Sequence, residues 1–130
     1  MKKIALLLAA LMIIVVALTA CSSSNTAQDY VDAIPQADMD MVNAIYAGLG
    51  MTVTAEAYDD NTVVFIYQYD EQQEEVEFLK EMWQGLEDAS RAEAQAILTE
   101  MRDEFDIEDP VVRYVYRNAD GTEIWSVDFS

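Results

Sequence analysis

Histidine is absent from this 130-residue chain. Without an imidazole, neither a Ser-His-Asp triad nor a Cys-His pair can be assembled. Zinc sites built from His and Cys lose their usual ligands too. There is one cysteine, Cys21, so no disulfide can form within the chain. The four glycines form no Gly-rich run, which excludes a phosphate-cradling loop. Cations are scarce: seven Lys and Arg stand against 25 Asp and Glu. All 25 acids follow residue 20, with only five of the basic residues, so that part carries a formal charge of −20. Nucleic acid is bound by neutralising phosphates with Lys and Arg, and this balance argues against it. The field of such a polyanion repels anionic lipid and attracts basic protein faces, cationic peptides and divalent metals. Hydrophobic residues still make up 52% of the chain, so the acidity does not imply disorder.

The apolar content begins with an address. Lys2 and Lys3 precede an apolar run from Ile4 to Leu18, and a polar stretch starts at Ser22. A positive start, about 7–15 apolar residues and a small-residue cut site form a signal peptide. A permanent transmembrane helix needs about 20 apolar residues. Leu18-Thr19-Ala20-Cys21 resembles the lipobox of bacterial lipoproteins. The resemblance implies diacylglycerol on the Cys21 sulfur, cleavage before Cys21, and N-acylation of the new terminus. Two or more acyl chains anchor stably where one binds reversibly. The expected organisation is a cleaved leader over 1–20, a lipidated tether over 21–28 and one acidic domain over 29–130. The expected location is the outer face of the cell membrane.

Periodicity organises the domain. Thr26 with Asp29 three residues on resembles a capping box and opens a helix. Pro35 interrupts it and can start the next. Met41, Val42, Ile45, Tyr46 and Leu49 recur at helical spacing, and Gly48 and Gly50 stop the run. Met51 to Tyr58 alternates as a half-buried strand. Asp59-Asp60-Asn61 supplies a turn, and Thr62 to Tyr69 returns as a strand apolar on both faces, a central one or one that meets a partner. A helical stretch is expected from about Glu71 to Phe105, with Val76, Leu79, Trp83, Leu86, Ala94, Ile97, Met101 and Phe105 as its stripe. Gly85 weakens it, and Ser90 with Glu93 suggests a second capping box and a break near Asp88–Ser90. Val111–Arg117 and Thr122–Phe129 are two further strands. Asn118-Ala119-Asp120-Gly121 joins them as a type I turn closed by a left-handed glycine. That register sets Arg117 opposite Glu123 and Val115 opposite Trp125. The order helix–strand–strand–helix–strand–strand predicts an α+β domain, a four-stranded antiparallel sheet packed against helices.

Few residues carry obvious chemistry. Tyr67, Tyr69, Tyr114 and Tyr116 pair up on strand faces, and they fit either a core or an exposed aromatic platform for a partner. Residues 118–123 and 103–109 are rich in oxygen ligands, but neither has the spacing of a calcium loop. Met39-Asp40-Met41 offers two thioethers, but residues two apart on a helix do not share a face, so core filling is the expected role. Carboxylate pairs could support glycoside cleavage only with the right separation across a cleft.

Gln28-Asp29-Tyr30-Val31, the hairpin Asp59-Asp60-Asn61-Thr62-Val63-Val64, and the tail from Arg113 to Ile124 resemble a family of small lipoproteins, mainly from Firmicutes. This is domain-of-unknown-function family 4854. Pro35 and Met39-Asp40-Met41 are less typical of it. The family carries no assigned activity, so the resemblance implies a location outside a Gram-positive membrane and no site residues. The expected function is a non-enzymatic binding or interaction module whose partner is a protein or peptide with a basic face. Calcium binding is the alternative, with a carboxylate-based hydrolase behind it. No cofactor is expected beyond the lipid on Cys21.

Overall fold

In the computed structural model, which describes residues 25–130, the capping box forms. The Asp29 carboxylate accepts from the Thr26 amide at 2.7 Å, and Thr26 Oγ1 accepts from the Asp29 amide at 3.4 Å. Helix α1 (Ala27–Ala33) follows, and Pro35 separates it from α2 (Gln36–Ala47). Gly50 takes a left-handed backbone, φ +71°, and turns the chain into β1 (Met51–Ala57) and then β2 (Thr62–Tyr69). Helices α3 (Val76–Gly85) and α4 (Glu87–Asp103) lead to β3 (Val111–Arg117) and β4 (Glu123–Phe129).

The four strands form one sheet in sequence order. It is mixed, and the expected all-antiparallel arrangement is corrected. β1–β2 and β3–β4 are antiparallel hairpins, but β2 and β3 run parallel, from Thr62 beside Val111 to Gln68 beside Arg117. Residues 70–110 carry two helices back along the sheet, so β3 starts where β2 starts. Such a crossover is what a parallel neighbour requires. β2 is central and buried on both faces, as its composition implies.

The long helical stretch is also corrected. It begins at Val76 and divides at Leu86, which leaves helical geometry at φ −100°, ψ 7° beside Gly85. Ser90 is therefore inside α4. Its hydroxyl donates to the Leu86 carbonyl at 3.2 Å instead of capping a helix. The β3–β4 turn forms as expected, with Gly121 N–H donating to Asn118 O at 2.9 Å and Gly121 at φ +88°. Arg117 faces Glu123, but a bulge follows, so Tyr116 faces Trp125 and Val115 faces Ser126. The extra residue in β4 lets Ile124 and Trp125 both join the helix-side core.

All four helices share one core with the sheet. α1 and α2 cover β1 and β2, while α3 and α4 cover β3 and β4. Rings run through this core: Trp125, Tyr116 and Trp83 stack in succession, and Tyr67 joins Tyr116 to Tyr46 at centroid separations of 4.9 and 5.0 Å. Each such pair adds about 0.5–1.5 kcal/mol beyond its buried area. On the other sheet face Val64, Ile66 and Val115 form a small separate cluster. At the free edge of β1, Asn43 of α2 holds Val53 by both backbone groups. Its Oδ1 accepts from the amide at 2.8 Å and its Nδ2 donates to the carbonyl at 3.0 Å.

Candidate functional site

The molecule has two distinct ends. At one, the Ala27 amide donates to the Asp60 carbonyl at 2.8 Å, so the described chain enters beside the β1–β2 turn. At the other, β1 begins and β2 ends, with Met51 paired to Tyr69. Here Leu49, Met51, Tyr69, Phe78, Leu79, Met82 and Trp83 line an apolar pocket of about 170 Å³.

Local sequence builds this pocket. Leu49 is placed by the Gly50 turn at the end of α2, and the Asp70 amide extends the ladder by donating to Gly50 O at 2.8 Å. Phe78, Leu79, Met82 and Trp83 are spaced one helical turn apart in pairs, which aligns them on one side of α3. Trp83 forms the floor at 1% exposure and donates its indole N–H to the Tyr69 hydroxyl at 3.3 Å. Burial pushes the Tyr69 phenol up, and that hydrogen bond partly offsets the effect. Phe78 is the exposed lip, with 42% of its surface open to solvent.

The start of α3 is fixed from outside the helix. Asn118 is 1% exposed; its Oδ1 accepts from the Gln73 amide at 2.8 Å and its Nδ2 donates to the Gln73 carbonyl at 2.9 Å. Gln72 Oε1 accepts from the Asp120 amide at 3.0 Å. The β3–β4 turn thus braces the loop leading into the pocket helix. Asp70, Glu71, Glu74, Glu75, Glu77 and Glu81 are all exposed along this segment, with Lys80 its single cation.

The tyrosines singled out from the sequence are core residues. Tyr67, Tyr69, Tyr114 and Tyr116 are 6%, 8%, 2% and 2% exposed, so they present no exposed aromatic platform. The parallel register explains why. It places Phe65 beside Tyr114 and Tyr67 beside Tyr116 on the face that the helices cover. Only Tyr69 reaches the pocket. Leu18, Thr19, Ala20 and Cys21 lie outside the described residues. Met39 packs against the core, but Met41 is exposed, so core filling holds for the first alone.

One carboxyl stands apart. Glu93 on α4 is half-buried over the tyrosines, and desolvation pushes its pKa up to about 8. Burial pushes the phenols of Tyr46, Tyr67, Tyr114 and Tyr116 up, and the charge of Glu93 adds to this at each of them. The Tyr114 hydroxyl is buried without a partner among the described residues. Glu100, raised by burial as well, accepts from the Tyr30 hydroxyl at 3.0 Å. These two acids lie two turns apart on one helix, about 10 Å along its axis, and not across a cleft.

The oxygen-rich segments are used locally. Asp120 accepts from the Thr122 amide and hydroxyl at 3.0 and 2.6 Å, which holds its carboxyl below the usual range. Asp106 and Asp109 bend the 103–109 segment with left-handed backbones. Among the described residues no group of three or more acids, His or Cys is placed to hold a metal ion. None of their helices is long and apolar enough to cross a membrane.

The sequence contained part of this site. Leu49, Leu79 and Trp83 stand in its apolar stripes. Phe78 and Met82 were missed, because they flank the stripe and overhang the end of the sheet. The signal available was the pair Phe78 and Met82, four apart beside Leu79 and Trp83, which makes the apolar side of α3 wider than a helix resting on a sheet needs. No curated protein and no solved structure matches the chain. A family match covers residues 28–129, nearly all of the described domain, and the chain belongs to that family, described as a domain of unknown function (DUF4854).

Proposed function

We propose that the protein is a non-enzymatic binding module, lipid-anchored through Cys21 on the outer face of a bacterial membrane, whose partner is a protein or peptide with a basic face. The lipobox-like Leu18-Thr19-Ala20-Cys21 supports the anchor. The observation that carries the binding role is an open apolar pocket on a domain of formal charge −20. An apolar hollow lined by two methionines and three aromatic rings adapts to side chains of varied shape. A hydrolase would need two carboxyls facing each other over a substrate, and Glu93 and Glu100 share one helix face instead. For calcium, no three acids among the described residues are grouped to hold an ion, and calorimetry showing no heat of binding at millimolar calcium would remove that reading.

The anchor is tested by metabolic labelling with a tagged fatty acid in a bacterium that processes lipoproteins. The wild-type chain should take up label, lose its leader and fractionate with membranes. Cys21→Ser should lose the label and remain unprocessed. An unlabelled wild-type chain, or a leader that persists in it, overturns the proposed location.

A further inference from the structure

We infer that the pocket between Leu49 and Phe78 receives one leucine- or phenylalanine-sized side chain from a cationic peptide segment, with the acids of 70–81 holding the flanking positive charges. The inference deepens the binding-module reading and does not depend on the lipid.

Size limits the occupant. Pockets for drug-sized molecules run to about 300–1,000 Å³. At about 170 Å³, this one suits a single large apolar side chain. Its lining carries the Tyr69 hydroxyl and the Trp83 indole N–H as polar groups, and these bond to each other. A polar ligand would find little there to replace its hydration, whereas an aliphatic or aromatic group loses nothing.

Charge limits the occupant further. Glu81 lies one turn after Phe78 on α3, and the exposed Glu74 and Glu75 lead directly into that helix, so the segment that carries the lip of the pocket also carries these acids. Lys80 is two residues from Phe78 and projects from a different side of the helix. A second copy of this polyanion, an anionic lipid headgroup and a nucleic acid would all be repelled. A segment bearing Lys or Arg on both sides of an apolar residue matches the pocket and its rim together.

The test uses the full chain in phosphatidylcholine nanodiscs, with methyl-labelled methionine. The probe is a capped pentapeptide of four lysines around a central leucine. Two controls replace the leucine by serine, or the four lysines by glutamates. Binding should move the Met51 and Met82 methyl signals and leave Met41 and Met101 in place. The serine control should bind about tenfold or more weakly, the loss expected when one large side chain is no longer buried. The glutamate control should not bind, and salt should weaken the lysine probe. Phe78→Ser and the triple change of Glu74, Glu75 and Glu81 to Gln should each weaken binding several-fold, with the Met101 signal reporting an intact core. Equal binding of the leucine and serine peptides, or shifts at Met41 and Met101 instead, would overturn the inference, as would equal binding of the glutamate peptide. The wild-type comparison of the three peptides decides the matter even where a variant fails to fold. Fatty-acid labelling of Cys21 is a separate readout, so loss of the anchor and loss of the peptide site are distinguishable.

Discussion

Glu93 shows how much one side chain can set. Its neighbours on the sheet and on α2 are the hydroxyls of Tyr46, Tyr67, Tyr114 and Tyr116, and the direct cause of its raised pKa is loss of water. An acid whose folded pKa of about 8 exceeds its ordinary value of 4.5 binds its proton more tightly in the native state. Its contribution to stability is therefore complete below about pH 4.5, declines as pH rises, and is lost once pH passes about 8. Glutamine mimics the protonated acid at every pH. Glu93→Gln should match the wild type in urea melts near pH 4.5 and exceed it by several kcal/mol, at most about 5, at pH 9. Equal midpoints at pH 9 would show that the carboxylate is solvated in the fold. In sequence Glu93 stood out only as the partner of Ser90 in a capping pattern, with nothing to mark it as a buried acid. A helical glutamate among 25 acids looks like any other until the sheet beneath it is known to carry four phenols.

At the scale of elements, the best-read features were those written in adjacent residues. Thr26 with Asp29 fixed a helix start, and Asn118 to Gly121 fixed a hairpin turn, because each closes its own hydrogen bonds within four residues. Strand direction was not legible. Alternation along Met51–Ala57 or Val111–Arg117 has period two whether the neighbour is parallel or antiparallel. A clue did exist in β2, whose apolar residues occupy both faces, as in strands of parallel sheets. The break at Leu86 was placed two to four residues late, near Asp88–Ser90, because Ser90 and Glu93 carry a capping pattern that an uninterrupted α4 does not use. The pocket needed tertiary information for the same reason: only the crossover shows which side of α3 overhangs the sheet. Asn118 joins these pieces, since it closes the turn and also clamps Gln73. Asn118→Ala should cost about 1–3 kcal/mol, because it leaves the half-buried Gln73 amide and carbonyl without their partner. Thermal unfolding measures this, and a change below 0.5 kcal/mol would mean that water replaces the clamp.

For the whole molecule, charge dominates. The described residues contain 25 acids and five bases, and their ion pairs are Arg113 with Asp128 at 2.7 Å and Arg91 with Glu87 and Asp88 at 3.9 and 4.0 Å. Self-repulsion therefore outweighs attraction, and salt should relieve it. Raising sodium chloride from about 0.02 to 0.5 M should lift the Tm by several degrees. A falling Tm would mean that the few ion pairs matter more than the net charge. A sheet of four strands also has two open borders. At β1 the Asn43 amide occupies the amide and carbonyl of Val53, while β4 bears Glu123 and Asp128. These devices deny neighbouring chains a template for strand addition. Molecules crowded on one surface can thus stand side by side without zipping into fibrils, and Asn43→Ala should bring thioflavin-positive aggregates at concentrations where the parent protein stays clear.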